Sequence, residues 1–138
     1  MPFSSIIYEM THEEIEKYLL AKTGAWLDYP FGEGVAVYKI GDKDSGKMFA
    51  LVREGSDPAN VSLKCRPELA EVLREKYETV LPGYHLDKKH WNTVICTGQL
   101  SNDDIFGLVD LSYNLVVDGL PKKVQDKLSN QVSEKNNS

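Results

Sequence analysis

The sequence is short of several things, and each shortage removes a class of answers. It has only two cysteines, Cys65 and Cys96, in 138 residues. That is too few for a disulfide-stapled scaffold, and in a reducing compartment both are expected as free thiols. Both stand in apolar, strand-like stretches, where cysteine behaves as a small buried hydrophobe. No apolar run approaches the roughly 18 residues of a membrane helix, so no membrane partner is expected. The opening Met1-Pro2-Phe3-Ser4-Ser5 lacks the basic flank and apolar stretch of a secretory leader, and the expected location is the cytoplasm. Positive charge is also scarce. The net charge of -5 argues against strong non-specific binding to DNA, which comes from phosphate neutralisation.

That deficit is uneven. Residues 61–99 carry six basic and five acidic side chains, whereas residues 1–60 carry six and ten, so the middle third can still present a local basic surface. The remaining composition, 41% hydrophobic and 27% charged, is that of a globular chain with one core.

Local signals predict the elements. Thr11-His12-Glu13-Glu14 is a capping box, with Met10 and Ile15 as the hydrophobic staple around it, and predicts a helix from His12 to Lys22. Its outward Glu13, Glu16 and Lys17 read as a solvated, ion-paired face. Asp28-Tyr29-Pro30-Phe31-Gly32 is a loop by its proline and glycine. Val35–Ile40 and Met48–Arg53 read as strands flanking a polar hairpin loop, Gly41 to Gly46. Val61-Ser62-Leu63-Lys64-Cys65 alternates as a third strand, with Ser62 and Lys64 outward. Pro67 suits the first turn of a helix whose expected apolar stripe is Leu69, Val72, Leu73 and Tyr77. Trp91–Cys96 is a fourth strand. Leu100-Ser101-Asn102-Asp103-Asp104-Ile105 repeats the capping device and opens a helix expected to bury Ile105, Leu108, Val109, Ser112 and Leu115 or Val116. The order predicts an α+β fold, an antiparallel sheet covered by helices. The expected organisation is an N-terminal extension over 1–10, one domain over 11–120, and a polar, disordered tail over 121–138.

The stretch richest in chemistry is Pro82-Gly83-Tyr84-His85-Leu86-Asp87-Lys88-Lys89-His90-Trp91-Asn92-Thr93. It packs two histidines, two lysines and two aromatics into twelve residues. As a nucleic-acid surface, Lys88 and Lys89 would meet phosphates, with Lys64 and Arg66 beside them. Tyr84, His85 or Trp91 would stack on bases, and His90 and Asn92 complete the set of candidate contacts. The bland alternative is that Tyr84 and Trp91 anchor a long loop whose tip is Lys88-Lys89.

Other chemistries are less well supported. His85, Asp87 and His90 match no zinc spacing, and a closed structural site needs four ligands, so no metal or other cofactor is expected. Cys65 precedes a helix start, a setting that lowers a thiol pKa, but no orienting third group or oxyanion hole accompanies it. No catalytic residues are assigned. Gly32-Glu33-Gly34 lacks the context of a phosphate loop.

The twelve-residue stretch resembles the PGYHLNKKHWNT block of the MmcQ/YjbR family. Tyr29-Pro30-Phe31-Gly32, Leu63-Lys64-Cys65-Arg66-Pro67-Glu68 and Ser112-Tyr113 agree with the family in order and spacing. The likeness covers about residues 10 to 120. It departs at Asp87, where the family usually has asparagine, which trims the local positive charge. The resemblance implies a "double wing" α/β sandwich, similar in shape to the DNA-binding half of the phage transcription factor MotA, and with it a DNA-binding role. The alternative is a protein-interaction module in which the signature loop is structural, with the Gly41–Gly46 loop and the tail as its variable surfaces.

Overall fold

The computed structural model describes residues 10–136. In chain order its elements are α1 (His12–Leu20), β1 (Ala25–Asp28), β2 (Val35–Ile40), β3 (Lys47–Arg53), β4 (Asn60–Lys64), α2 (Pro67–Lys76), β5 (Val80–Pro82), β6 (Trp91–Ile95), α3 (Asn102–Asp118) and α4 (Lys122–Asn136). The strands form one antiparallel sheet in the order β1-β2-β3-β4-β6-β5. The fold is α+β. Strands β1 to β4 run as a meander, and the chain then leaves through α2 so that β6 pairs with β4 and β5 takes the edge.

Both helix starts behave as their residues dictate. Thr11 and Ser101 each accept a hydrogen bond from the backbone N–H three residues on, and Glu14 and Asp104 reach back to the cap N–H, satisfying donors that the first turn leaves unpaired. Met10, read as part of an N-terminal extension, is buried with its staple partner Ile15. Residues 1–9 of that extension lie outside the described residues.

The core lies between one face of the sheet and the helices. Ile15 and Leu19 from α1 and Ile105, Val109 and Val116 from α3 close over Tyr38, Ile40, Phe49, Val52, Val61, Leu63 and Val94. Ser112 is wholly buried in this apolar layer. Its hydroxyl donates to the Phe49 carbonyl at 2.6 Å and accepts from the Lys64 N–H at 2.9 Å, just beyond the last paired residues of β3 and β4, Ala50 and Leu63. One side chain thus satisfies two backbone groups and fixes α3 to the sheet. Beside it the Tyr113 hydroxyl donates to the Thr23 carbonyl at 2.6 Å. Tyr18 donates to Asp110 at 2.8 Å, and Lys22 pairs with the same carboxylate, tying α1 to α3.

Three elements depart from the expectations. β1 and β5 are not among the four expected strands, because four and three residues are too short to show alternation; only their ends, Asp28 and Pro82, were assigned, to a loop and to a break. Pro82 is tolerated because β5 is an edge strand, where a missing N–H breaks no ladder. The tail expected to be disordered forms α4. Its apolar residues are few but fall four apart, at Val124, Leu128 and Val132, and Leu128 is buried in the core. Pro121, where that tail was expected to begin, precedes the first turn of α4, where proline is at home. Gly24, at φ +76°, makes room: a Cβ there would collide with Leu128 Cδ2. In α2 it is Ala70 that is buried, while Leu69 and Val72 are exposed, because only one narrow stripe of this helix meets the sheet.

These contacts make α4 part of the folded unit. Leu128→Ala is expected to cost about 2–3 kcal/mol. Removing residues 122–138 should lower the thermal midpoint by several degrees at least, as read by circular dichroism. A truncated chain that melts with the full-length protein would show that α4 adds nothing to the core.

Candidate functional site

Strand alternation decides what faces away from the helices. The register sets Val37, Leu51, Ser62, Thr93 and Leu81 side by side across five strands, and Tyr38, Ala50, Leu63, Asn92 and Pro82 in the adjacent row. Tyr38, Ala50 and Leu63 of the second row belong to the helix-covered core. Leu51, Ser62, Thr93 and Leu81 of the first row line a cavity of about 480 Å³ on the other face, within the range of small-ligand sites.

Two loops wall this cavity. Between β1 and β2, Phe31 stands 63% exposed at its edge. The loop is fastened by the Tyr29 hydroxyl, which donates to Glu54 Oε2 at 2.9 Å; that bond raises the Tyr29 pKa. On the other side the signature loop contributes Tyr84, His85 and Leu86. Gly83 bonds the Trp91 carbonyl at 2.8 Å through its N–H. A Cβ on Gly83 would lie 2.7 Å from Trp91 Cβ, so this position admits no side chain. The Tyr84 N–H donates to Thr93 Oγ1 at 3.2 Å.

The rim is aromatic and cationic. The Arg53 guanidinium carbon lies 4.4 Å from the centroid of the Tyr84 ring, a cation–π arrangement. The His85 ring is 4.1 Å from the same centroid. His85 holds a left-handed backbone, φ +58°, which costs a non-glycine residue energy and clusters at ligand sites. Tyr84 is 55% exposed. In the floor, Ser62 Oγ and Thr93 Oγ1 are hydrogen-bonded at 2.8 Å. One hydroxyl proton joins them, and the second has no partner among the described residues. Asn60 lines the wall, its amide N–H₂ donating to Ser56 Oγ at 3.0 Å.

The residues singled out in the sequence divide into three groups. Tyr84 and His85 border the cavity. Trp91 and Asn92 are buried and do not line the cavity. Trp91 supports the signature loop, while Asn92 faces α2 and donates to the Ala70 carbonyl at 3.3 Å. Lys64, Arg66, Lys88, Lys89 and His90 gather at one end of the sheet. There the Cys65 N–H donates to the His90 carbonyl at 2.8 Å, and Arg74, not singled out, donates to the Lys88 carbonyl at 2.7 Å. Within this group Lys88 Nζ donates to the Gly83 carbonyl, and His90 Nδ1 is 2.6 Å from Asp87 Oδ2. That contact, with the Lys89 N–H on Oδ1, holds the Asp87 carboxyl below its usual range. The aspartate therefore organises the loop tip as well as trimming its charge.

Phe31, Arg53, Asn60, Ser62 and Thr93 were not recognised as site residues. The available signal was two small hydroxyl residues in the middle of strands, Ser62 and Thr93, which become neighbours only through the β4–β6 register.

Among the described residues no three of His, Cys, Asp and Glu converge as a ligand set for a metal. Burial pushes the Cys65 thiol up and the Cys96 thiol to about 12, the opposite of the lowering that a helix start suggested for Cys65.

Two outcomes follow from this geometry. Trp91→Ala should cost about 3–5 kcal/mol of stability, measured by denaturant unfolding, and a variant as stable as the parent would remove Trp91 from its supporting role. Both thiols should resist a disulfide reagent in native protein at mildly alkaline pH and react on unfolding. Fast reaction of either in the native state would contradict its burial.

Comparison with known proteins places this architecture. The YjbR family model matches residues 20–115. Protein YjbR of Escherichia coli (strain K12) is 40% identical over 114 residues, 83% of this chain and 93% of that protein. YyaQ of Bacillus subtilis (strain 168) is 28% identical over 116 residues, 77% and 98% of the two chains. The crystal structure of Deinococcus radiodurans protein DR2400, with its family-model domain DUF419, superposes with a TM-score of 0.82 at 31% identity, covering 90% of this chain and 92% of that one. A Pseudomonas syringae protein of known crystal structure gives 0.64 at 29% identity, covering 78% and 99%. With the family model matching most of its length, and with its sequence and fold similar to these relatives over most of both chains, the chain belongs to the YjbR family.

Proposed function

We propose that this protein binds single-stranded nucleic acid across the open face of its sheet. The observation that carries the proposal is the pair of exposed aromatic rings, Tyr84 and Phe31, bordering one cavity, with the Arg53 cation over the Tyr84 ring. Bases stack on such rings whatever their identity, and unpaired bases alone present a face to stack. The chain's net charge of -5 gives weak attraction to phosphate, so stacking carries most of the affinity. Arg66, Arg74, Lys88 and Lys89, drawn together at the adjoining end of the sheet, would take flanking phosphates. No catalytic step is part of the proposal.

The alternative is a protein partner. It is favoured by the exposed apolar side chains Leu69 and Val72 on α2 and Leu111 on α3, which a partner would cover.

Fluorescence anisotropy with labelled single strands of about ten nucleotides and the matching duplex, at two salt concentrations, separates these possibilities. The single strand should bind more tightly than the duplex. Tyr84→Ala should remove about 1–3 kcal/mol of affinity, roughly 5- to 150-fold. Lys88→Glu with Lys89→Glu should flatten the log–log salt slope by about 1.4, from about 0.7 per contact. Equal weak signals for both nucleic acids, unchanged by Tyr84→Ala, would sink the proposal, and a stoichiometric protein partner in a pull-down would replace it.

A further inference from the structure

The cavity floor has a chemistry that stacking alone does not use. Phe31, Leu51, Leu81 and Ile95 give it apolar walls, suited to the faces of a planar ring. Beneath them the Ser62–Thr93 pair offers one uncommitted O–H donor beside acceptor lone pairs. Both hydroxyls are nearly enclosed, each residue being 7% exposed, so a ring edge that failed to bond them would leave polar atoms unsatisfied. Hydroxyl protons rotate, and the pair can therefore meet either a carbonyl beside a ring N–H or a ring nitrogen beside an amino group.

A cation stands free at the mouth. Among the described residues the Arg53 guanidinium has no ion pair or hydrogen bond with a side chain. The carboxylate next to it in sequence, Glu54, instead accepts the Tyr29 hydroxyl. A place over the Tyr84 ring leaves the guanidinium charge without a counter-ion, and its fork of N–H donors suits an anion.

We infer that the cavity seats one nucleotide at a time, its base edge on the Ser62–Thr93 hydroxyls and its phosphate on Arg53. The inference rests on the nucleic-acid proposal above, but it is narrower: the recognised unit is a planar nitrogen heterocycle with one anionic group nearby. That unit comes from a free mononucleotide or from one residue of a strand. Tyr84 and Phe31 then flank the occupied cavity and stack the neighbouring bases of a strand.

Titration calorimetry of the full chain tests this with nucleoside 5′-monophosphates, the matching nucleosides, ribose 5-phosphate and a short single strand. Monophosphates should bind, nucleosides should bind about tenfold more weakly for want of the charge-assisted contact, and ribose 5-phosphate should give no heat. Arg53→Ala should bring the monophosphates down to the nucleoside level while leaving nucleosides unchanged, a pattern that general loss of structure does not produce. Leu81→Trp, at a half-exposed position on the wall, should fill the cavity and abolish binding of both. A strand that binds while monophosphates give no heat overturns the inference and leaves the strand proposal standing. Monophosphates that bind in the cavity without any affinity for the strand do the reverse. Silence from both removes both. Ribose 5-phosphate binding as well as the monophosphates would reduce the site to a simple anion contact and overturn the base-reading role.

Discussion

Trp91 lies in the sheet directly under Gly83, so close that a Cβ on the glycine would meet that of the tryptophan at 2.7 Å, and this contact sets the height of the signature loop. The Gly83 N–H on the Trp91 carbonyl reinforces this contact, and the Tyr84 N–H on the Thr93 hydroxyl extends the constraint two residues along β6. With the loop held there, the Tyr84 ring lies under the Arg53 guanidinium, and His85 takes its left-handed backbone beside them. A side chain at Gly83 would lift the loop and open the cavity wall. The large aromatic is therefore a support for the site, not a contact in it.

The two faces of the sheet are specialised by single polar residues. On the covered face, Ser112 satisfies a carbonyl of β3 and an N–H of β4 and lets α3 sit close to the sheet. On the open face, Ser62 and Thr93 bond mainly to each other. A buried hydroxyl pair in mid-sheet adds little to stability that two apolar residues could not supply. The Thr93 hydroxyl also accepts the Tyr84 N–H and so helps to hold the signature loop; in the inference above the same pair meets the ligand.

Much of this architecture was legible in the sequence. Thr11 with Glu14 and Ser101 with Asp104 are local hydrogen-bonding devices, and they formed where their spacing said. Ser112 was expected on the buried face of its helix from periodicity alone, and it is there. The open-face site was not legible, because it depends on pairings between strands about thirty residues apart. Alternation marked Ser62 as outward, yet only the β4–β6 register puts Thr93 beside it and the signature loop above it. α4 was missed for a different reason: a polar composition was read as disorder, although apolar residues four apart needed only the space left by Gly24 to dock.

Electrostatics explains why the loop tip is not the centre of the site. Lys88 is tied to the carbonyl of Gly83, and His90 is held by Asp87, so the densest run of basic letters in the sequence is partly turned inward on its own loop. The open face, with Arg53 and the two exposed rings, is therefore the surface on which we place the proposed ligand. The most direct test is to map the amide resonances of the protein by NMR as a short single strand is added. The account predicts that Phe31, Ser62, Tyr84, Thr93 and Ile95 shift together and saturate together. Shifts confined to Lys88 and Lys89, or to the outer surfaces of α2 and α3, would contradict it.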